Sequence, residues 1–215
     1  LTSVGIPSNV TSIGDGAFNA CSSLTAITVD ALNSIYSDVD GVLFDKSQTT
    51  LIQCPGGKAG NYTIPASVTS IGTRAFCSCY GLTGVTIPNS VTNIGDWAFS
   101  YCNNLTGVYF QGPPPGLGSD VFLGDDNTTV YYLPRNAASW PATFGGRPTA
   151  LWPLPAADVD MDGAVNFTDY AIFADNWLYE NCDEPDWCAG TDFDHSGRVD
   201  ILDLATFARY WLEVL

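Results

Sequence analysis

Apolar positions recur along this chain with two different spacings. TIPASVTSIGTRAFCSCYGLTGV, starting at Thr63, is followed at once by TIPNSVTNIGDWAFSYCNNLTGV, starting at Thr86, and Phe76, Phe99 and Phe122 each stand 23 residues apart. A fixed period of this size predicts a solenoid, because one such unit cannot bury its apolar face alone. Within a unit, LTGVTIP reads as a strand ending at proline, SVTSIG as a second short strand, and AFxxC as a one-turn helix with its aromatic ring inward. Stacking the units predicts ladders of Ile13, Ile71 and Ile94; of Phe18, Phe76, Phe99 and Phe122; of Cys21, Cys79 and Cys102; and of Leu24, Leu82 and Leu105.

The pattern IPxSVTxIGxxAFxxCxxLxxV resembles the bacterial leucine-rich repeats of BspA-like surface proteins, and the resemblance spans roughly residues 1–150. In that family the cysteine is a small buried filler; the alternative for Cys21, Cys79 and Cys102 is a bridge between neighbouring rungs. Departures from the pattern predict local features. Between Val29 and Ile64 the period is interrupted, and Asp40-Gly41 followed by a Lys-Ser-Gln-Thr turn predicts a hairpin that extends the sheet. After Phe110 the repeat decays into QGPPPGLGSDVF, TTVYYLP and SWPATFGGRPTALW, where Trp140, Phe144 and Trp152 are candidates for a cap. At the other end LTSVGIP begins directly on a repeat strand, so we expect the natural protein to continue upstream. The absence of an initiator Met and of a signal peptide gives the same expectation of a mature or truncated chain.

From Asp158 the spacing changes. DVDMDGAVNFTDYAIFADNWL is restated 34 residues later as DFDHSGRVDILDLATFARYWL. Written as twelve-position loops, the copies place Asp158, Asp160, Asp162, Asn166 and Asp169, and then Asp192, Asp194, Ser196, Asp200 and Asp203, at positions 1, 3, 5, 9 and 12. Position 6 is Gly163 or Gly197, where a sharp turn disfavours a Cβ, and position 7 offers the backbone carbonyl of Ala164 or Arg198. Hard oxygen donors at this spacing select calcium, one ion per loop. After each loop an apolar stripe at three- and four-residue steps, Tyr170, Phe173, Trp177 and Leu178, then Leu204, Phe207, Trp211 and Leu212, predicts a helix. The two helices are expected to pack antiparallel on one small core, with Val165 and Val199 pairing the loops back to back.

No helix is expected to enter these loops, since Pro153 and Pro155 precede the first of them, and position 12 carries Asp rather than the usual Glu. Loop plus exiting helix, duplicated over residues 156–215, resembles a type I dockerin. That resemblance implies a calcium-dependent plug docking into a cohesin-type module through positions 10 and 11 and the helix face behind them. Here these are Phe167 and Thr168 with Asp175, or Ile201 and Leu202 with Arg209. The fold expected for the whole chain is thus an α/β leucine-rich-repeat solenoid of mostly short strands with one-turn helices over residues 1–152. A small all-α duplicated calcium-loop-helix domain follows over residues 153–215.

The net charge of −16 is unevenly placed: residues 153–215 carry fourteen acids against Arg198 and Arg209, while residues 1–152 carry nine acids against five bases. That imbalance argues against nucleic acid as a partner, and two calcium ions would offset four of the charges. Cys182 and Cys188 bracket a short polar linker and read as a disulfide in an extracellular setting; Cys21, Cys54, Cys77, Cys79 and Cys102 lie elsewhere, and an odd total leaves at least one thiol without a partner in the chain. No apolar run is long enough to cross a bilayer. The single histidine, His195, sits inside a calcium loop at a position expected to face solvent, and no triad, phosphate loop or zinc spacing appears. Asn-x-Thr sequons such as Asn61-Tyr62-Thr63 follow from the repeat itself. These features predict a non-catalytic, extracellular bacterial protein whose repeat surface takes a protein or carbohydrate ligand. The competing expectation is a structural surface protein with a calcium-locked end piece.

Overall fold

The computed structural model describes residues 1–182 and 187–213, and the chain divides into two compact units. The first comprises residues 1–132 and 136–151; the second comprises residues 133–135 and 152 onward.

Fourteen short strands build the first unit: β1 (Ser3–Ile6), β2 (Ala26–Val29), β3 (Tyr36–Val39), β4 (Val42–Asp45), β5 (Thr50–Gln53), β6 (Ala59–Thr63), β7 (Ser70–Ile71), β8 (Gly81–Ile87), β9 (Asn93–Ile94), β10 (Gly107–Phe110), β11 (Gly116–Leu117), β12 (Thr129–Tyr132), β13 (Thr143–Phe144) and β14 (Arg147–Leu151). One sheet runs β13-β14-β12-β10-β8-β6, a second runs β11-β9-β7-β5-β4-β3, and β1 pairs with β2 alone. Between rungs the pairing is parallel, with Val85 opposite Val108 and Ile71 opposite Ile94, so equivalent residues of successive repeats stand one strand spacing apart. The Phe ladder follows from this: Phe76 and Phe99 stack at 4.8 Å, and Phe99 and Phe122 at 5.4 Å.

The AFxxC segments are not one-turn helices. Arg74 and Ser78, Trp97 and Tyr101 take left-handed φ values of 52–61°, breaking each segment into successive tight turns. Alternate N–H groups therefore point along the solenoid: Phe76 N–H donates to Ala98 O at 2.7 Å and Phe99 N–H to Val121 O at 2.9 Å. In a helix successive N–H groups all point along its own axis, so they could not alternate toward the next rung. Stacking yields a third ladder instead.

The Val29–Ile64 interruption is an antiparallel meander. β3 turns into β4 through Asp40 and Gly41, both at positive φ, and β4 pairs with β5 across a bulge between Leu43 and Phe44. This insertion divides the core. Ile13, Phe18 and Cys21 pack on a separate cluster of Ile6, Leu24, Ile27, Tyr36 and Leu43, whereas Phe76, Phe99 and Phe122 belong to the main one. The continuous ladders drawn from the sequence stop there because β4 and β5 bring Phe44 and Leu51 into the main cluster.

At the far end Trp140 and Phe144 are buried against Phe110. Trp152 is not part of this cap, because it belongs to the second unit and lies over the turn at Gly163.

Candidate metal centre

The second unit contains α1 (Phe167–Asp175), a helical turn at Trp187–Gly190 that is left-handed at Cys188 and Ala189, and α2 (Ile201–Glu213). Ahead of each of α1 and α2 lies one of the repeated loops, and the two loops are held by the same hydrogen bonds. Asp158 accepts from the N–H groups of Asp162 (3.0 Å) and Gly163 (2.9 Å); Asp192 accepts from Ser196 (3.0 Å) and Gly197 (2.8 Å). Gly163 and Gly197 have φ of 97° and 89°, and Met161 and His195, at position 4 of each loop, are also left-handed.

The carboxylates at position 12 close both loops. Asp169 accepts from Val159 N–H (2.7 Å) with one oxygen and from Asn166 N–H (2.8 Å) with the other; Asp203 does the same for Phe193 (2.7 Å) and Asp200 (2.9 Å). Asn166 and Asp200 in turn accept from the N–H groups of Thr168 and Leu202, which starts α1 and α2 with side-chain caps.

Carboxylate oxygens of Asp158, Asp160 and Asp162 lie within 4.8 Å of one another, as do those of Asp192, Asp194 and Asp203. Calcium ligands sit about 2.3–2.6 Å from the ion, so such separations suit oxygens sharing one cation. The buried members experience their mutual charge and loss of water: burial raises the Asp158 carboxyl to about 6, with Asp169 and Asp162 adding repulsion. Burial, Asp162 and Asp169 raise Asp160 as well, offset in part by Arg135. A divalent ion would relieve this, and the all-oxygen donor set fits a hard one. Ala164 O accepts from the Asn166 amide (3.1 Å) and Arg198 O from the Ser196 hydroxyl (3.1 Å), so both carbonyls point inward.

The core beneath the loops consists of Ala157, Val165, Phe173, Cys182, Val199 and Phe207. Cys182 and Cys188 form a disulfide. Val165 and Val199 both lie in this core, while the Val199 backbone pairs with the segment after α1: its N–H donates to Tyr179 O and its carbonyl accepts from Leu178 N–H, beside the Glu180–Arg198 bridge. α1 is shorter than its apolar stripe predicted. It ends at Asp175, Leu178 is left-handed, and Trp177 and Leu178 are exposed rather than packed in the core. The side chain of Leu212 lies outside the described residues, as does the 183–186 part of the linker. His195 is exposed, as its loop position implies, and also stacks on Trp187 at 4.5 Å, a contact that the loop pattern gave no sign of.

Of the residues at the helix starts, Phe167 is 77% exposed, Ile201 64% and Leu202 60%. Thr168, Asp175 and Arg209 are exposed too. Phe167 and Tyr170 meet Trp211 edge to face, and together with Leu204, Phe207 and Ala208 they line an apolar groove of about 330 Å³.

Residues 1–57 and 56–142 match the family model of the BspA-type leucine-rich repeat region, in six copies. The chain belongs to this family. Among solved structures, a leucine-rich repeat protein from Eubacterium ventriosum is 26% identical with a TM-score of 0.47, the match covering 61% of this BspA-type chain and 42% of that one. The pneumococcal vaccine antigen PcpA is 22% identical with a TM-score of 0.50 over 61% of this chain and 39% of its own. A leucine-rich cell-surface protein from Faecalibacterium prausnitzii is 24% identical with a TM-score of 0.49, over 77% and 51%. The chain thus spans about half, or less, of the length of each. No curated protein matches it. Among the described residues no helix is long and apolar enough to cross a membrane.

Proposed function

We propose that this BspA-type chain is a non-catalytic binding and assembly protein of the bacterial exterior. The repeat solenoid presents a recognition surface for a protein or carbohydrate, and the C-terminal unit is a dockerin-like plug that binds two calcium ions and docks onto a cohesin-type module. The observation that carries this reading is that the carboxylates at positions 1 and 12 make the same backbone hydrogen bonds in both loops, each followed by a capped helix whose first residues expose apolar side chains. Asp158, Asp160, Asp162 and Asp169 hold the first ion with Ala164 O; Asp192, Asp194, Ser196 and Asp203 hold the second with Arg198 O. Asn166 and Asp200, engaged as helix caps, contribute through water.

Docking is expected to centre on Ile201 and Leu202, two neighbouring apolar side chains able to fill a shallow pocket, whereas Phe167 is already engaged with Trp211. The test is capture of cohesin-type modules by the full chain with and without calcium. Ile201→Asp with Leu202→Asp should abolish capture and leave calcium affinity intact, since neither side chain is a ligand. Capture that survives this pair but fails with Phe167→Asp and Thr168→Asp moves the docking face to α1. Capture insensitive to both pairs, or to chelation, overturns the plug and leaves a calcium-locked end piece.

A further inference from the structure

The cysteine ladder of the solenoid ends in an acid. Asp125 follows Cys102 by 23 residues, as Cys102 follows Cys79, and it closes the turn that begins at Phe122. The two thiols before it act as donors: Cys79 Sγ–H faces Cys54 O at 3.7 Å and Cys102 Sγ–H faces Phe76 O at 2.9 Å. Carried forward by one repeat, the Cys102 register would offer Asp125 the carbonyl of Phe99. A neutral carboxyl has an O–H to give it; a carboxylate has only lone pairs.

Three observations set the surroundings. Asp125 is 2% exposed, and neither carboxyl oxygen has a hydrogen-bond partner among the described residues. Arg147, from β14, anchors itself through Nη1 to Asp125 O (3.1 Å) and to the Asp126 carboxylate (2.8 Å). Its Nε is buried and also lacks a partner. The charged and titratable groups facing Asp125 are therefore Arg147, Asp126 of its own turn and the Cys102 thiol of the rung before.

We infer that Asp125 is a proton-dependent latch on the last rung: protonated, its carboxyl closes the cysteine ladder; ionised, it turns toward Arg147 and loosens the segment from Phe122 to Thr128. Burial raises this carboxyl to about 7, against the pull of the nearby Arg147 charge. The folded value lies above the unfolded one, so the stabilisation is complete below about pH 4 and is lost as pH rises toward 7. Thr128, which donates its hydroxyl to Leu105 O at 2.7 Å and its N–H to Asp125 O, passes the change to β12.

Hydrogen exchange of the full chain in saturating calcium, from pH 5 to 8.5 and corrected for intrinsic rates, tests the latch. Opening of peptides spanning residues 121–132 should rise by up to about tenfold per pH unit and level off above about pH 7. Peptides spanning residues 63–72 should stay flat. Asp125→Cys, which restores the ladder's own residue, should flatten the 121–132 profile, and Arg147→Gln should move its plateau to higher pH. A flat wild-type profile, an unchanged slope in Asp125→Cys, or a plateau shifted downward in Arg147→Gln overturns the inference. If Asp125→Cys does not fold, Asp125→Asn is read in its place; failure of both to fold means an ionised carboxylate is required, which also overturns it.

Discussion

Phe99 shows what a single residue does in a stacked fold. Its ring lies between Phe76 and Phe122, nearly parallel to both, and is fully buried. Removing it leaves a void that neighbouring rungs cannot fill, because their positions are fixed by backbone ladders on three sides. Phe99→Ala should therefore cost about 3–5 kcal/mol, measured by denaturant unfolding of the solenoid. A change below about 1 kcal/mol would mean the rung collapses around the gap. Gly163 is a second sensitive position, for a different reason: its φ of 97° disfavours any Cβ, and one built there lies 3.1 Å from the Trp152 ring. Gly197 shares the φ but has only Cys182 O at 3.9 Å. Gly163→Ala should thus lower calcium affinity in its loop more than Gly197→Ala does in the other, which calorimetric titration of the two variants resolves.

At the scale of elements, each acidic loop and its helix form one unit, because the position-12 carboxylate bonds the loop backbone and the position-9 side chain caps the helix. The loops differ at position 5. Asp162 brings a charge, whereas Ser196 brings a hydroxyl that donates to Arg198 O and must rotate to serve a cation. The first loop should bind calcium more tightly, and Asp162→Ser should weaken that site toward the second; equal affinities in wild type and variant would refute the ranking. Acid should weaken the same site. With Asp158 raised to about 6, a proton competes with the ion, so affinity falls as pH drops below that value and recovers above it.

The sequence exposed these loops because their ligands sit at fixed offsets within twelve residues. The strands were equally readable, since each repeat carries the same alternation. It was less informative wherever a contact depends on a neighbouring rung. AFxxC reads as helix because Phe and Cys three apart suit one, yet the donors that decide the matter pair with the next repeat. Leu178 fits the α1 stripe by spacing, but a left-handed turn and its bond to Val199 take it out of the helix. Asp125 carried a legible signal, 23 residues after Cys102, which its change of residue type concealed.

For the whole molecule, the two units have separate cores, one of stacked rungs and one of a few residues beneath two acidic loops. The second also bears most of the net charge, so if it binds the two ions proposed above, its stability should rest on them far more than on burial. A site filled at 100 times its dissociation constant adds about 2.7 kcal/mol, and two such sites about 5 kcal/mol, which is comparable to the whole stability of a small domain. The solenoid, which carries no such loop, is expected to unfold independently of calcium. Thermal unfolding of the full chain should accordingly resolve into two transitions, of which a chelator lowers one and leaves the other in place. Phe99→Ala supplies the reciprocal perturbation: it should lower the chelator-insensitive transition and leave the calcium-dependent one unmoved. A chelator that shifts both transitions, or a Phe99→Ala chain in which both fall together, would show that the units unfold as one, and the separate plug would have to be given up.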